Sequence, residues 1–263
     1  MTANCLLEMF PGELTATLQT GQDIALLPIG SIEQHGPHLL LGTDGFWAEA
    51  LVQEIGRLSG GAVLPPVPFS WVGCTNVFAG GVGVREAEFI AYLRAAVVGL
   101  WQAGFSRLVI VNGHGGNFYA LRAFPHEVWQ EHRIPVLCLY GSAGCREAEE
   151  LVARVGGGEG TWLAGALRLL GREDLITVLR ETTRQAVAEF GDRPEGELEP
   201  PSARAARQLG VVGHDYSHEC LHVAPDARLD PDTGARAITM VAQRVAAVLD
   251  DLGAYVRSLP DKP

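Results

Sequence analysis

The sequence predicts an α/β fold in which a mainly parallel central sheet is covered by helices on both faces. Three short apolar runs carry that reading: DIALLPI at residues 23–29, RLVIVN at 107–112 and IPVLCLY at 134–140. Continuous rather than alternating hydrophobicity marks a strand buried on both sides. Between the runs, apolar residues recur every three or four positions, the period of a helix that buries one stripe. Strands alternating with helices imply a parallel sheet, whose ligands gather at the carboxyl ends of the strands.

The first strand stops at Pro28-Ile29-Gly30, so GSIEQHGPHLLLGTD, residues 30–44, is a strand-to-helix loop. From Asp44 onward Trp47, Ala48, Leu51, Val52 and Ile55 keep helical spacing until Gly56 and Ser59-Gly60-Gly61. AVLPPVPFS, residues 62–70, is a further strand that Pro65 and Pro66 confine to an edge or cut short. Glu86 to Gly104 is the clearest amphipathic helix, with Phe89, Leu93, Val97, Leu100 and Trp101 on one stripe. After RLVIVN the chain breaks into GHGGN, and a helical stretch from Phe118 is limited by Pro125. Beyond residue 141 the pattern thins. Residues 181–208 are polar, acidic and proline-containing, which suggests a surface excursion, and no domain boundary is placed: residues 1–263 read as one domain. A last helix runs from about Ala235 to Leu252, with Ile238, Val241, Val245, Val248 and Leu252 on one face.

Composition narrows the function. A chain of 263 residues, 47% hydrophobic, suits one large domain, and no apolar stretch approaches the ~20 residues that span a bilayer. The start, MTANCLLEMFPGEL, lacks the basic and apolar regions of a signal peptide, so a cytoplasmic location is expected. The five cysteines, Cys5, Cys74, Cys138, Cys145 and Cys220, form no CxxC pair and read as isolated thiols. A net charge of −11 with only 20 Lys and Arg argues against nucleic acid, whose phosphates need clustered cations. Small-molecule or peptide chemistry is left.

The loop at 30–44 concentrates such chemistry. Side chains two apart in an extended segment point the same way, so Glu33 and His35 can converge, and Asp44 can fold back from the helix. Imidazole with carboxylate suits zinc, manganese or iron. Asp44 could equally be a helix N-cap, and Glu33 and His35 solvated loop residues. A second loop, NGHGGN at 112–117, holds His114 uncrowded between glycines. It matches neither GxGxxG nor GxxxxGK[ST], so phosphate binding ranks below metal, although a purely structural His114 stays open. Two histidine-bearing loops at one sheet edge together favour a metal site.

In this order, GSIEQHGPHLLLGTD and VNGHGGN resemble the motifs of the creatininase family of metal-dependent amidohydrolases, and the resemblance covers most of the chain. It implies a three-layer α/β/α fold, homo-oligomers that are frequently hexamers, and a binuclear centre of two divalent ions bridged by Asp44. Glu33, His35 and His114 would be further ligands, zinc the first expectation, manganese or iron the others. The implied substrate is a non-peptide or small peptide amide. Water activated at the metals would attack its carbonyl.

The chain also departs from the family pattern. Gly116 stands where creatininase itself carries a ligand Glu, and GGGEG offers Glu159 in the place of a downstream HAGE-type ligand. Glu159 could instead be a plain carboxylate at a helix N-terminus. Gly156 replaces the family's catalytic histidine and Thr161-Trp162-Leu163 its ETS, so Trp162 would favour a flatter or more apolar substrate. Cys74-Thr75-Asn76 resembles the substrate-side loop, with Asn76 where relatives often have His. For proton transfer the candidates are His38, His214 and His218, the last two in HDYSHECLH, residues 214–222, which could also be a lid, an interface or a plain surface loop. The alternative function is a catalytically impaired metal-binding subunit that serves in binding or assembly.

Overall fold

The computed structural model describes residues 4–190 and 228–259. Its centre is one parallel sheet of five strands: β1 (Asn4–Cys5), β2 (Ile24–Ile29), β3 (Ala62–Val63), β4 (Arg107–Asn112) and β5 (Val136–Tyr140), in the order β1-β3-β2-β4-β5. β2 and β4 pair from Ile24 beside Arg107 to Ile29 beside Asn112. The loops at 30–42 and 113–116 therefore leave the same sheet edge side by side.

Alternate residues of each strand point to opposite faces. Ile24, Leu26, Val109 and Val111 pack under α2 (Thr43–Ser59), α6 (Arg146–Arg154), α7 (Glu159–Leu169) and α9 (Pro231–Ser258). Ala25, Leu27, Ile29, Leu108 and Ile110 pack against α3 (Glu86–Gln102), the short α4 (Asn117–Leu121) and α5 (Phe124–His132), with α1 (Pro11–Gln19) covering the margin through Leu14 and Leu18. A smaller cluster, Leu163, Leu167, Ile176 and Leu179, joins α7 to α8 (Glu173–Phe190). The result is the expected three-layer α/β/α arrangement, and among the described residues no helix is long and apolar enough to cross a membrane.

Several elements differ from the sequence reading. β3 ends early, as its prolines require, yet lies inside the sheet, because β1 takes the edge. Pro125 opens α5 instead of closing the helix before it, since a proline in the first turn sacrifices no hydrogen bond. Residues 181–190 are not excursion but the second half of α8. α9 starts before Ala235: Asp230 caps it, accepting hydrogen bonds from the amides of Asp232 and Thr233 at 3.1 and 3.0 Å, and Pro231 follows. On its face Leu249 is buried, whereas Val248 is 49% exposed. Residues 214–222, and with them His214 and His218, lie outside the described residues, as does the side chain of Cys74.

Candidate metal centre

The site is assembled by close backbone approach. A β-carbon on Gly30 would overlap the backbone of Gly45, and one on Gly113 would overlap the carbonyl of Asp44. Without those side chains, the ends of β2 and β4 close onto the first turn of α2 and deliver Asp44 to the junction. Asp44 is not the helix cap, a position held by Gly42, so the capping reading gives way. Its carboxylate instead accepts a hydrogen bond from the Ser31 hydroxyl at 2.7 Å and meets two histidines.

Those contacts divide the carboxylate. Asp44 Oδ1 lies 3.1 Å from Nε2 of His35, and Oδ2 lies 2.9 Å from Nδ1 of His114. Glu33 Oε1 is 2.7 Å from the same His114 nitrogen, and Glu159 Oε1 is 3.5 Å from the same His35 nitrogen. Two groups of possible ligand atoms result, Glu33–Asp44–His114 and His35–Asp44–Glu159, each within 4.8 Å of one another. Glu33 and His35 are each 1% exposed, which removes the solvated-loop alternative. Glu159 opens α7 and stays partly exposed, so helix-terminal carboxylate and ligand are here one position.

The second nitrogen of each imidazole is engaged by backbone. His35 Nδ1 lies 3.2 Å from the Glu33 carbonyl, and His114 Nε2 lies 3.1 Å from the Trp71 carbonyl. A proton on each of those nitrogens leaves the site-facing one with a lone pair, as a metal ligand requires. Burial disfavours charge on either ring, but contact with Asp44, reinforced by Glu159 and Glu33 around His35 and by Glu33 around His114, outweighs it. Their pKa values rise to about 9 and about 10. Burial likewise opposes a charged Asp44, yet hydrogen bonds from His114 and His35 hold it well below the usual carboxylate range. Three carboxylates at one point thus hold positive charge, in the form of protons on two imidazoles. The nitrogen and oxygen donors fit zinc, manganese or iron, which would displace those protons.

Other residues support or border the centre. The Thr75 hydroxyl donates to Glu33, so the 74–76 segment acts on a candidate ligand, while Asn76 is exposed. Asn112 Nδ2 donates to the His114 carbonyl at 2.7 Å, and Asn117 Nδ2 to Asn112 Oδ1 at 3.1 Å, which pins the GHGGN loop. Ser31, Asn112 and Asn117 carry no signal of this role in the sequence beyond lying within the two motifs. His38 is buried beside His35, outside both ligand groups. Burial, with the neighbouring His35, pushes it down to about 4, so it is a neutral imidazole.

The departures have structural counterparts. A β-carbon at Gly116 would collide with Nε2 of His114, so a side chain there would require the His114 ring to shift. Gly156 has a φ of +66°, and the Arg228 guanidinium fills the space where its side chain would begin. Beside the centre a cleft of about 350 Å³ is lined by Asp44, Trp47, Ser142, Glu149, Glu159 and Trp162, among others.

Comparison with known proteins follows the same lines. The family model described as creatinine amidohydrolase matches residues 8–249. A 3-dehydro-scyllo-inosose hydrolase of Thermotoga maritima is 32% identical over 122 residues, 44% of this chain and 38% of that protein. A mycofactocin precursor peptide peptidase of Mycobacterium ulcerans is 38% identical over 132 residues, 45% and 51% of the two chains. A creatinine amidohydrolase of Pseudomonas putida is 29% identical over 147 residues, 49% and 56%. The matched stretches thus span about half the length of these curated relatives or less. A crystal structure of creatinine amidohydrolase (creatininase) superposes with a TM-score of 0.73 at 20% identity, over 98% of this chain and 99% of that one. A manganese form of creatininase gives 0.66 at 18% identity, over 95% and 98%. With its motifs, its sheet order and a family match that runs nearly end to end, the chain belongs to the creatininase family.

Proposed function

We propose that the protein is a metal-dependent amidohydrolase that holds two divalent ions and shares Asp44 between them. The observation that carries this reading is the division of Asp44, one oxygen toward His35 and the other toward His114. Glu33 and His114 would complete one pole, His35 and Glu159 the other. Such ions, when bound, supply a Lewis acid for the substrate carbonyl and acidify water to a pKa of about 7.

The chain's own residues do the positioning. The Glu33 and Trp71 carbonyls hold each imidazole in the tautomer that offers its inner nitrogen. The Ser31 and Thr75 hydroxyls fix the Asp44 and Glu33 carboxylates, so the ligand atoms need little rearrangement on binding. For the proton of the leaving nitrogen, a neutral His38 suits an acceptor better than a donor near neutral pH. His214 and His218 stay candidates for the donor. Two of the relatives' names, a creatinine amidohydrolase and a precursor peptide peptidase, support an amide-type substrate not confined to creatinine, whereas the inosose hydrolase is named for a cyclic ketone without an amide bond. Partnership with further copies of the chain accords with the shallow groove on α3, which Ile90, Ala91, Ala95 and Val98 line, the alanines exposed and Ile90 and Val98 partly buried against the core.

A second reading, a metal-binding subunit without turnover, is favoured by one observation: Arg228 occupies the space at Gly156 where the family's histidine is expected. Elemental analysis of the purified protein, followed by assays on creatinine, formamides, cyclic amides and short peptides, separates the two. Metal-dependent turnover of any of these supports the hydrolase. Two bound ions with no turnover across the panel support the subunit.

A further inference from the structure

We infer that the cleft beside the candidate metal centre selects amides that carry a cationic group on a flat apolar body, with Glu149 receiving the cation. This deepens the hydrolase reading and rests on it. Helices α2 and α7 repeat one device: a carboxylate in the first turn and an indole three residues later, Asp44 with Trp47 and Glu159 with Trp162. Residues three apart share a helix face, so each indole borders the cleft next to a candidate ligand.

From this end the cleft runs along the carboxyl edge of the sheet. Gly113 follows β4, and Gly141 and Ser142 follow β5. β5 lies two places from β2 in the sheet, so at a strand spacing of ~4.8 Å the Ser142 end is roughly 10 Å from the Asp44 end. There Glu149 of α6 lines the cleft, its carboxylate engaged by the Ser142 hydroxyl. The ionisable residues of the lining are all acidic, Asp44, Glu149 and Glu159. Two of them belong to the candidate ligand groups, where bound cations would offset their charge, which leaves Glu149 as the acid facing substrate. Indole faces attract cations and stack on flat groups, whereas an anionic substituent would be set against Glu149. A volume of about 350 Å³ holds one ring with its substituents.

The test uses the full-length, metal-loaded protein and three probes that share a benzamide body: 4-(aminomethyl)benzamide, benzamide and 4-carboxybenzamide. Affinity is measured by calorimetry and hydrolysis is followed separately. The cationic probe is expected to bind about fivefold tighter than benzamide, with the anionic one weakest. Glu149→Gln should bring the cationic and neutral probes to equal affinity while metal content stays unchanged. Because Glu149 is exposed, this variant keeps the fold. Equal affinities in the parent protein, a preference that survives Glu149→Gln, or no binding of any probe would each overturn the inference. Selective binding without hydrolysis of any amide would keep the inference and refute the hydrolase reading. Hydrolysis without charge preference would do the reverse.

Discussion

Nε2 of His114 lies 3.1 Å from the carbonyl oxygen of Trp71, which turns the other ring nitrogen toward Glu33 and Asp44. A histidine kept only for loop structure would not need its second nitrogen against two carboxylates. His114→Ala should weaken one of the two ions by more than ~100-fold and abolish hydrolysis, with the fold retained because the residue sits on a loop. Competition with a coloured chelator measures the affinity. Two ions held as tightly as in the parent protein would remove His114 from the centre.

The hydroxyls of Ser31 and Thr75 touch no ion in this account and act through Asp44 and Glu33. Ser31→Ala and Thr75→Val should therefore keep the stoichiometry but lower affinity by roughly 10- to 100-fold. Circular dichroism distinguishes this from misfolding. Unaltered affinity in both variants would show that the carboxylates hold their positions unaided.

Protons and metal compete for the same place. In metal-free protein His35 and His114 titrate at about 9 and about 10, against about 6.5 in an unfolded chain. A raised folded-state pKa means that the folded form binds extra protons in this interval. The stabilisation is complete below about pH 6.5 and is lost as pH rises through about 9 to 10. Asp44, depressed instead, contributes above the usual carboxylate range and loses its contribution under strong acid. Chelator-treated protein should thus unfold at lower urea near pH 9 than near pH 6, and added zinc should erase most of the difference. A midpoint in chelator that does not fall between these pH values would show that His35 and His114 are not protonated in the metal-free protein.

Gly156 tests the departure from the family pattern. Its φ of +66° disfavours any side chain, and Arg228 fills the space. Gly156→His should cost about 1–3 kcal/mol and not improve turnover, and Arg228→Ala in the same chain should recover part of the loss. Thermal denaturation measures both. A fully stable Gly156→His protein would mean that Arg228 moves aside freely.

The parts of this account legible in the sequence are those with local signals. β2, β4 and β5 are short apolar runs closed by glycine, and Glu33, His35 and His114 lie in two adjoining loops, with Asp44 in the first turn of the helix that follows one of them. What stayed hidden depends on distant packing. β1 is two residues with no pattern, and it exists because β3 offers a parallel partner. The second half of α8 reads as polar because it buries only a narrow stripe, including Thr183 and Ala186. Thr75 reaches Glu33 across 42 positions, and Arg228 reaches Gly156 from just before the cap of the last helix, relationships that no periodicity reports.

Asp44 is proposed to serve two ions with one carboxylate. Elemental analysis of Asp44→Asn, beside His35→Ala and His114→Ala, tests it most directly. The parent should carry about two divalent ions per chain, each histidine variant should lose one, and Asp44→Asn should lose both. Asp44→Asn protein that still holds two ions, or loses only one, would contradict the shared carboxylate.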